Sequence, residues 1–354
     1  MSRQQKIASF DPSGVGLKNG HFIGLPFGEE DAQIVLLPVG WDVTVSYMAG
    51  TSTGPLNILD ASSQLDLYDP DLPDAWKVGI YMRHHDLFIT NRNEELRPLA
   101  ERYIDYLEDG GKPENSLEMA ARLEEINNAC RLVKVWVYEQ TKSLLKAGKC
   151  VGVVGGDHSS PLGFLEALGE FYPEGYGVLQ IDAHQDLRKA YEGFEYSHAS
   201  IFYNAMQLSQ LKKLVQVGIR DTCEEELRFA EKHSDRIAVF TNSEINSRKF
   251  SGESFNSICE SIVEALPKKV YISFDIDGLL PYLCPNTGTP VPGGFEFDEA
   301  IHLIRAVVDS GREIIGFDLC EVAGLGHEWD GNVGARILYK LCNFMAKSRN
   351  LATS

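Results

Sequence analysis

The sequence is short of positive charge. Its 354 residues include 33 Lys and Arg against 51 Asp and Glu, which gives a formal net charge of −18. Affinity for nucleic acids comes largely from Lys and Arg side chains that neutralise phosphates, and anionic membrane surfaces attract the same residues. We therefore expect no nucleic acid and no membrane among the partners of this protein.

Long apolar runs and paired cysteines are also absent. No stretch approaches the roughly 20 apolar residues of a membrane-spanning helix, and residues 1–16 carry no apolar segment typical of a secretory signal. The seven cysteines are scattered and include no CxxC pair. This pattern is typical of reduced thiols and argues against a disulfide framework or a zinc knuckle. We expect a cytoplasmic protein.

Short apolar segments bounded by turn residues recur along the chain and predict buried strands. Most are continuous runs, as in parallel strands that are covered on both faces. Helical patterns lie between them, most clearly over Leu117–Lys146. The alternation predicts a three-layer α/β/α sandwich around a mainly parallel sheet of roughly eight strands. The predicted strands are residues 34–39, 78–81, 150–154, 177–181, 214–217, 237–240, 270–274 and 314–317.

No internal repeat and no low-complexity linker divides the chain. The most loop-like stretch, residues 105–116, has similar composition on both sides, so we interpret it as a surface loop. We predict one domain over residues 1–354.

Acidic residues and histidines follow three of the predicted strands, in residues 155–159, 182–186 and 275–278. Functional groups of parallel sheets gather at the carboxyl ends of strands. One Asp after a strand is more often a helix N-cap, but three such clusters are hard to explain by packing, because buried charge is costly unless it is paired or bound to metal.

The three clusters together predict a binuclear metal site. Alternate side chains of an extended segment point to one side, so the acids and histidines within each cluster are expected to converge. Carboxylates brought together repel one another unless cations lie between them, and mixed imidazole and carboxylate ligation suits Mn, Ni, Zn or Fe better than Ca or Mg. The candidate ligands are four carboxylates and two imidazoles: His158, Asp182, His184, Asp186, Asp275 and Asp277.

The same three clusters resemble the signatures GGDHS, DAHxD and SFDxDxxDP of the ureohydrolase family, which contains arginase, agmatinase, guanidinobutyrase, formiminoglutamase and guanidine hydrolase. The matching stretches are residues 155–159, 182–186 and 273–281. Further similar stretches are Gly54-Pro55, residues 287–290 and residues 318–322. The resemblance spans nearly the whole chain and implies an arginase-like fold.

The resemblance also implies a mechanism. A hydroxide between two Mn or Ni ions would attack a guanidinium carbon and release urea and an amine, with Asp186 accepting the hydroxide proton. Glu321 would anchor the guanidinium, with Thr289 at the substrate, and His198 would move a proton to or from the leaving amine. The implied ligands are His158, Asp182, Asp186 and Asp275 for one ion, and Asp182, His184, Asp275 and Asp277 for the other.

Two departures from the family pattern bear on the substrate. Leu280 stands where the third signature usually has Asp. Arg188 either holds a substrate carboxylate, as a formiminoglutamase would require, or pairs with Glu192 or Glu195. The acids and aromatic residues of 191–196 suit a cationic tail better.

We therefore predict an agmatinase-like hydrolase of a small guanidino compound. Alternatives within the class are hydrolysis of free guanidine, of a substituted guanidine or biguanide, or of formiminoglutamate. An alternative from another class is a metal-binding but catalytically silent partner subunit, which Leu280 keeps open. Since members of the family form trimers and hexamers, a homo-oligomer is expected, and a hetero-oligomer with a related subunit is also open.

Overall fold

The computed structural model describes residues 1–352, and its strands form one parallel sheet. In chain order the strands are β1 Ile34–Val39, β2 Ile80–Met82, β3 Cys150–Gly155, β4 Tyr176–Ile181, β5 Leu211–Ile219, β6 Ile237–Thr241, β7 Lys269–Asp275 and β8 Glu313–Cys320. They lie in the order β2-β1-β3-β8-β7-β4-β5-β6, and every neighbouring pair is parallel. The predicted eight-stranded sheet is confirmed and is wholly parallel.

Each strand divides its side chains between two apolar cores. In β1, Ile34 and Leu36 pack into one core while Val35 and Leu37 pack into the other. Successive side chains of a strand point to opposite faces, so a strand covered on both sides needs apolar residues at every position. This is why the strands read as continuous apolar runs.

Helices cover both faces and complete the predicted three layers. The helices are α1 Arg3–Ser9, α2 Gly54–Ser62, α3 Leu87–Glu108, α4 Leu117–Lys146, α5 Leu162–Phe171, α6 Ile201–Ala205, α7 Glu224–Lys232, α8 Asn242–Phe250, α9 Phe255–Glu264, α10 Phe297–Asp309 and α11 Glu328–Ser348. The first core is closed by α2, α8, α9, α10 and α11, and the second by α3, α4, α5, α6 and α7. Within residues 1–352 no helix has the length and apolarity to cross a membrane.

Two element boundaries differ from the sequence predictions. The loop expected from residue 105 begins only after Glu108, because α3 continues while Leu107 still packs against its core. The strand expected from residue 78 begins at Ile80, since Gly79 has a φ of +78° and ends a short 3₁₀ turn. The helix over Leu117–Lys146 is confirmed, and the Ser116 hydroxyl accepts a hydrogen bond from the Met119 amide at its start.

The order of the strands positions the site. Four adjacent strands in the middle of the sheet, β3, β8, β7 and β4, end at the same edge. Residues 155–159 and 182–186 lie at the ends of β3 and β4, residues 275–278 at the end of β7, and Glu321 follows β8. The polar clusters that are far apart in sequence are thereby brought to one place.

Candidate active site

A first group of ligand atoms surrounds the buried imidazole of His158. Its Nδ1 lies 3.0 Å from Oδ2 of Asp182, 3.0 Å from Oδ2 of Asp186 and 3.3 Å from Oδ2 of Asp275. Nε2 of His158 lies 2.9 Å from the hydroxyl of Ser273, which fixes the ring plane. His158, Asp182 and Asp275 have ligand atoms close enough to one another to hold one metal ion.

A second group surrounds His184 and shares Asp182 with the first. Nδ1 of His184 lies 3.0 Å from Oδ2 of Asp277 and 3.6 Å from Oδ1 of Asp182. Asp182, His184 and Asp277 form a second set that is suited to one ion. The two oxygens of Asp182 therefore face different groups, as a carboxylate between two metal ions requires.

The loop after β4 separates its ligands in a way that alternation alone does not describe. Asp186 has a left-handed φ of +55° and turns toward His158, while His184 faces the second group. Likewise Asp275 faces the first group and Asp277 the second. The structure brings all six predicted ligands together, but the expectation that each cluster converges on a single point is wrong, because both loops divide their side chains between two centres.

The buried carboxylates and imidazoles of this site do not neutralise one another well in the protein alone. Burial and the neighbouring carboxylate of Asp182 raise the pKa of Asp186 to about 7. Burial opposes protonation of the His158 imidazole, yet its carboxylate neighbours hold its pKa well above the usual range. Divalent cations remove this conflict because they take the place of the protons, and mixed imidazole and carboxylate donors are typical ligands of transition metals.

Metal removal should therefore affect stability in a pH-dependent way. In the folded, metal-free protein Asp186 keeps its proton up to about pH 7, whereas in the unfolded chain it loses that proton above the ordinary pKa of an Asp. The contribution of Asp186 to the free energy of unfolding therefore falls as pH rises toward 7. Metal affinity rises over the same pH range, because metal binding needs the deprotonated carboxylate. We expect the gap in Tm between Mn-loaded and chelator-treated protein to widen by more than about 5 °C between about pH 5 and pH 8. Thermal unfolding at both pH values measures it, and a constant gap would contradict the assignment.

Glu321 lies beside the first group. Its φ of +62° is left-handed, and its Oε1 accepts a hydrogen bond of 3.0 Å from the His158 amide. Its Oε2 is buried without a hydrogen-bond partner. A Cβ at Gly288 would come within 2.8 Å of that oxygen, so glycine leaves room in front of it. A buried carboxylate oxygen without a donor is suited to a cation from a ligand.

His198 lies between Glu321 and Ser46, and both His198 and Ser46 line the pocket beside the site. Its Nδ1 lies 3.7 Å from Oε1 of Glu321, and its Nε2 lies 3.4 Å from the hydroxyl of Ser46. Burial and the positive imidazoles of His184 and His158 lower the pKa of His198 to about 3. The ring is therefore neutral at physiological pH and able to accept a proton.

A cavity of about 160 Å³ opens beside these groups and suits a small molecule. Its inner wall includes Thr289, whose hydroxyl lies 3.5 Å from Oδ2 of Asp277. Two acids after the end of β5 also line it: exposed Asp221 at its rim, and buried Glu226, whose oxygens accept from the amides of Leu187 and Cys223. Sequence reasoning missed these two acids, although acidic residues after a predicted strand were the signal that found the other clusters. The pocket is lined by Ser46, His184, Asp186, Arg188, Tyr191, His198, Ala199, Asp221, Thr222, Glu226 and Thr289.

Arg188 lines the pocket in a different pairing from the one expected. Its guanidinium lies 4.7 Å from the centre of the Tyr191 ring, and its Nε lies 3.9 Å from Oε2 of Glu226. The structural pairing predicted with Glu192 or Glu195 is wrong, since the side chain turns toward α7. Of residues 191–196, only Tyr191 lines the pocket.

Leu280, the departure in the third signature, lies outside both ligand groups and outside the pocket lining. Its backbone amide donates to the carbonyl of Phe295, at 2.9 Å, and its side chain is half-buried. The leucine removes no ligand atom from the site.

Comparisons with known proteins agree on one family. Residues 32–342 match the model of the arginase family. An N(1)-aminopropylagmatine ureohydrolase of Thermus thermophilus is 33% identical over 325 residues, covering 89% of this chain and 92% of the relative. An agmatinase of Bacillus anthracis is 28% identical over 298 residues, covering 83% of this chain and 84% of the relative. The crystal structure of the agmatine ureohydrolase of Thermoplasma volcanium matches with a TM-score of 0.68 at 20% identity, covering 98% of this chain and 99% of that one.

Proposed function

This chain belongs to the arginase family, and from that premise we propose that it hydrolyses an agmatine-like guanidino compound to urea and an amine. The observation that carries the proposal is the pair of ligand groups that share Asp182, beside a small pocket with the exposed acid Asp221 at its rim. A guanidinium carbon is a poor electrophile because its charge is spread over three nitrogens. Its hydrolysis needs an activated water molecule and a site that fixes the cation.

Two divalent ions, Mn or Ni, complete the proposed site. Its fit to them is supported by the buried carboxylates and by Nδ1 of His158, which has no partner besides these acids. Bound ions supply a water molecule with a pKa lowered enough to act as the nucleophile at neutral pH. The proposed ligands are His158, Asp182, Asp186 and Asp275 for one ion, and Asp182, His184, Asp275 and Asp277 for the other.

The substrate guanidinium is proposed to meet Glu321 and Thr289. Oε2 of Glu321 is buried without a partner, and a carboxylate offers the negative charge that complements a positively charged guanidinium. Thr289 lines the pocket, where its hydroxyl lies 3.5 Å from Oδ2 of Asp277. A charge-assisted contact to Glu321 fixes the carbon for attack, which supplies much of the orientation that the reaction needs.

Two residues are proposed to move protons. Asp186 lines the pocket beside the first ligand group, and its carboxylate takes the proton of the attacking water. His198 is neutral before reaction because burial lowers its pKa to about 3. His198 would relay the proton that Asp186 has taken from the water to the leaving amine, and so weak a base gives a proton up readily.

Replacing His198 tests the second of these roles. We expect His198→Asn to lower kcat by about 10²-fold or more, which is the usual contribution of a positioned acid or base. Metal content should not change, since His198 is in neither ligand group. Exposed His327 provides the control, and His327→Asn should keep kcat. Steady-state urea release and metal analysis measure both; loss of metal in His198→Asn would contradict the assignment.

The rim of the pocket supports a substrate with a cationic tail. Asp221 is exposed there, and although its backbone amide donates to the carbonyl of Ala183, its carboxylate makes no hydrogen bond or ion pair to any of residues 1–352, so its charge is available to a ligand. Arg188 is the one Lys or Arg side chain in the pocket lining, and Glu226 and Tyr191 already contact it. We therefore place Arg188 in the pocket wall and propose that the substrate carries an amine where formiminoglutamate would carry a carboxylate.

N(1)-aminopropylagmatine is the second candidate substrate. Support for this substrate comes from sequence identity. Relatives named N(1)-aminopropylagmatine ureohydrolase are up to 34% identical to the chain, whereas relatives named agmatinase are up to 28% identical. Both candidates share the guanidinium and the amine tail, so both fit the same pocket chemistry.

The acidic rim makes a prediction about substrate choice. Asp221→Asn should lower kcat/KM for agmatine by about 10-fold, the value of one charge-assisted contact, and should leave kcat/KM for free guanidine unchanged. The size of the side chain is kept, so only its charge is tested. Equal losses for the two substrates would contradict a role in tail binding.

A substrate panel tests the proposed function as a whole. Protein loaded with Mn or with Ni is assayed for urea with agmatine, N(1)-aminopropylagmatine, arginine and free guanidine, and for turnover of formiminoglutamate. We expect urea, with kcat/KM highest for the first two compounds. Urea from none of them with either metal would overturn the proposal, as would turnover of formiminoglutamate alone.

The proposal includes assembly as a homo-oligomer, a trimer or a hexamer, which is supported by the family resemblance. Catalytic competence of one assembled chain type separates this from a silent subunit that needs a related partner. Light scattering and urea release on the same purified sample distinguish the two.

A further inference from the structure

A row of buried amides leads to Asp182 and does not line the pocket. Gln180 and Gln216 are directly paired across the neighbouring strands β4 and β5, and Gln185 lies in the loop after β4. All three side chains are fully buried. Thr222 at the pocket rim is the last member. We call these four residues, Gln180, Gln185, Gln216 and Thr222, the glutamine chain.

The glutamine chain forms a continuous series of hydrogen bonds from the rim to Asp182. The Thr222 hydroxyl donates to Oε1 of Gln185. Nε2 of Gln185 donates to Oε1 of Gln216 at 3.1 Å, and Nε2 of Gln216 donates to Oε1 of Gln180 at 2.6 Å. Nε2 of Gln180 then donates to Oδ2 of Asp182 at 2.8 Å. Every donor in the series points toward the metal ligand.

The surrounding acceptors fix this direction. The amide nitrogen of Gln180 also donates to the carbonyl of His184, at 3.1 Å, and that of Gln216 donates to the carbonyl of Gln185, at 2.6 Å. Carbonyls and carboxylates only accept hydrogen bonds, so turning either amide around would oppose acceptor to acceptor. The series can run one way only.

The last bond of the series controls how Asp182 is turned. Oδ2 of Asp182 accepts from Gln180 and lies 3.0 Å from Nδ1 of His158, in the first ligand group. Oδ1 accepts from the amide of His184 at 2.6 Å and faces the second group. Each oxygen thus has its own fixed donor, and rotation of the carboxylate would break both bonds.

We propose that the glutamine chain is a positioning device for the metal centre, holding Asp182 so that each oxygen serves a different ion. The inference rests on the proposed function, because it needs two ions at this site. Apolar residues fill the neighbouring strand positions, such as Val178 and Val215. Burying amides in their place costs free energy unless each is hydrogen-bonded, and the bonds made here all lead to one ligand.

The test compares the metal affinities of three variants, Gln180→Met, Gln216→Met and Thr222→Val, each close in volume to the original side chain. Replacing a residue that hydrogen-bonds to a metal ligand typically weakens metal affinity by about 10- to 100-fold. We expect the Kd for Mn²⁺, measured by calorimetry, to rise by about 100-fold in the first, about 10-fold in the second and less than about 3-fold in the third. Since Gln180 and Gln216 are equally buried, a purely structural role predicts equal effects for these two.

Asn343 provides a matched control. It is a buried amide elsewhere in the fold, where its nitrogen donates to Oδ2 of Asp69 at 2.7 Å. Asn343→Leu should lower Tm and leave the Kd for Mn²⁺ within about 2-fold, because the amide does not reach a proposed ligand. In Gln216→Met, KM for agmatine at saturating Mn²⁺ should stay within about 2-fold, since the residue does not line the pocket.

The outcomes separate this inference from the proposed function. Kd values for Mn²⁺ that rise in the stated order support the inference. If Gln180→Met does not fold, the comparison of Kd between Gln216→Met and Asn343→Leu decides it. Wild-type metal affinity in Gln216→Met, or equal Kd increases in Gln216→Met and Asn343→Leu, would overturn the inference alone. Failure of the unaltered protein to bind Mn²⁺ or Ni²⁺ would overturn the proposed function together with it.

Discussion

Asp182→Asn should abolish urea release, lowering kcat by at least about 10³-fold, because the shared carboxylate belongs to both ligand groups. Asparagine keeps the size and one oxygen but removes the charge that the site offers to cations. Bound metal should fall from two ions per chain toward none, which metal analysis after gel filtration measures alongside urea release.

This variant should stay folded. Asp182 is fully buried and both of its oxygens accept hydrogen bonds, so asparagine places one N–H against a donor and removes a charge that faces the His158 imidazole. We therefore expect a cooperative unfolding transition with a lower metal-free Tm than that of the unaltered protein. Exposed Asp235 is the control, and Asp235→Asn should keep both metals and full activity. An active Asp182→Asn with its metal retained would contradict the assignment of the shared ligand.

Glu321→Gln should have the second largest effect, lowering kcat/KM for agmatine by about 10²-fold. A hydrogen bond to a charged group contributes about 1.5–3 kcal/mol, and each 1.4 kcal/mol corresponds to about 10-fold. The loss should appear mainly in KM if Glu321 grips substrate and transition state alike. Metal content should not change, because Glu321 is in neither ligand group.

The control for Glu321→Gln is Glu225→Gln, at an exposed position of α7. It removes the same charge from an exposed position that does not line the pocket, so it shows how far the net charge alone attracts the cationic substrate. Comparable losses of kcat/KM in the two variants would contradict a direct contact between Glu321 and the guanidinium.

The sheet was predictable because its physics is local. A strand buried on both faces needs apolar residues at nearly every position, and residues 34–39 and 150–154 show this in the sequence. The gathering of strand ends was predictable for the same reason, since parallel strands place their carboxyl ends at one edge. Where the chain leaves the sheet, prediction was weaker.

The division of ligands into two groups depends on loop conformation. Asp186 takes a left-handed φ, which few non-glycine residues adopt, and this turns it away from His184. Alternation assumed an extended backbone and so placed the side chains of residues 182–186 at one point. The pairing of Arg188 with Glu226 was also hidden, because it depends on where α7 packs.

The glutamine chain is a third feature that the sequence alone does not predict. Gln180 and Gln216 are single polar residues within apolar segments, and each alone has no evident role in the sequence. Their pairing follows from the register of β4 on β5. Register is set by packing over the whole sheet, so a sequence pattern cannot show which buried amides meet.

Urea release from agmatine as a function of Mn²⁺ bound per chain tests the central claim most directly. Metal-free protein is titrated with Mn²⁺, and bound metal and initial rate are measured on each sample. We expect negligible activity without metal and a maximum rate at two ions per chain, with Asp182→Asn inactive throughout. A maximum rate at one ion, or no urea at any metal content with either candidate substrate, would contradict a binuclear guanidino hydrolase.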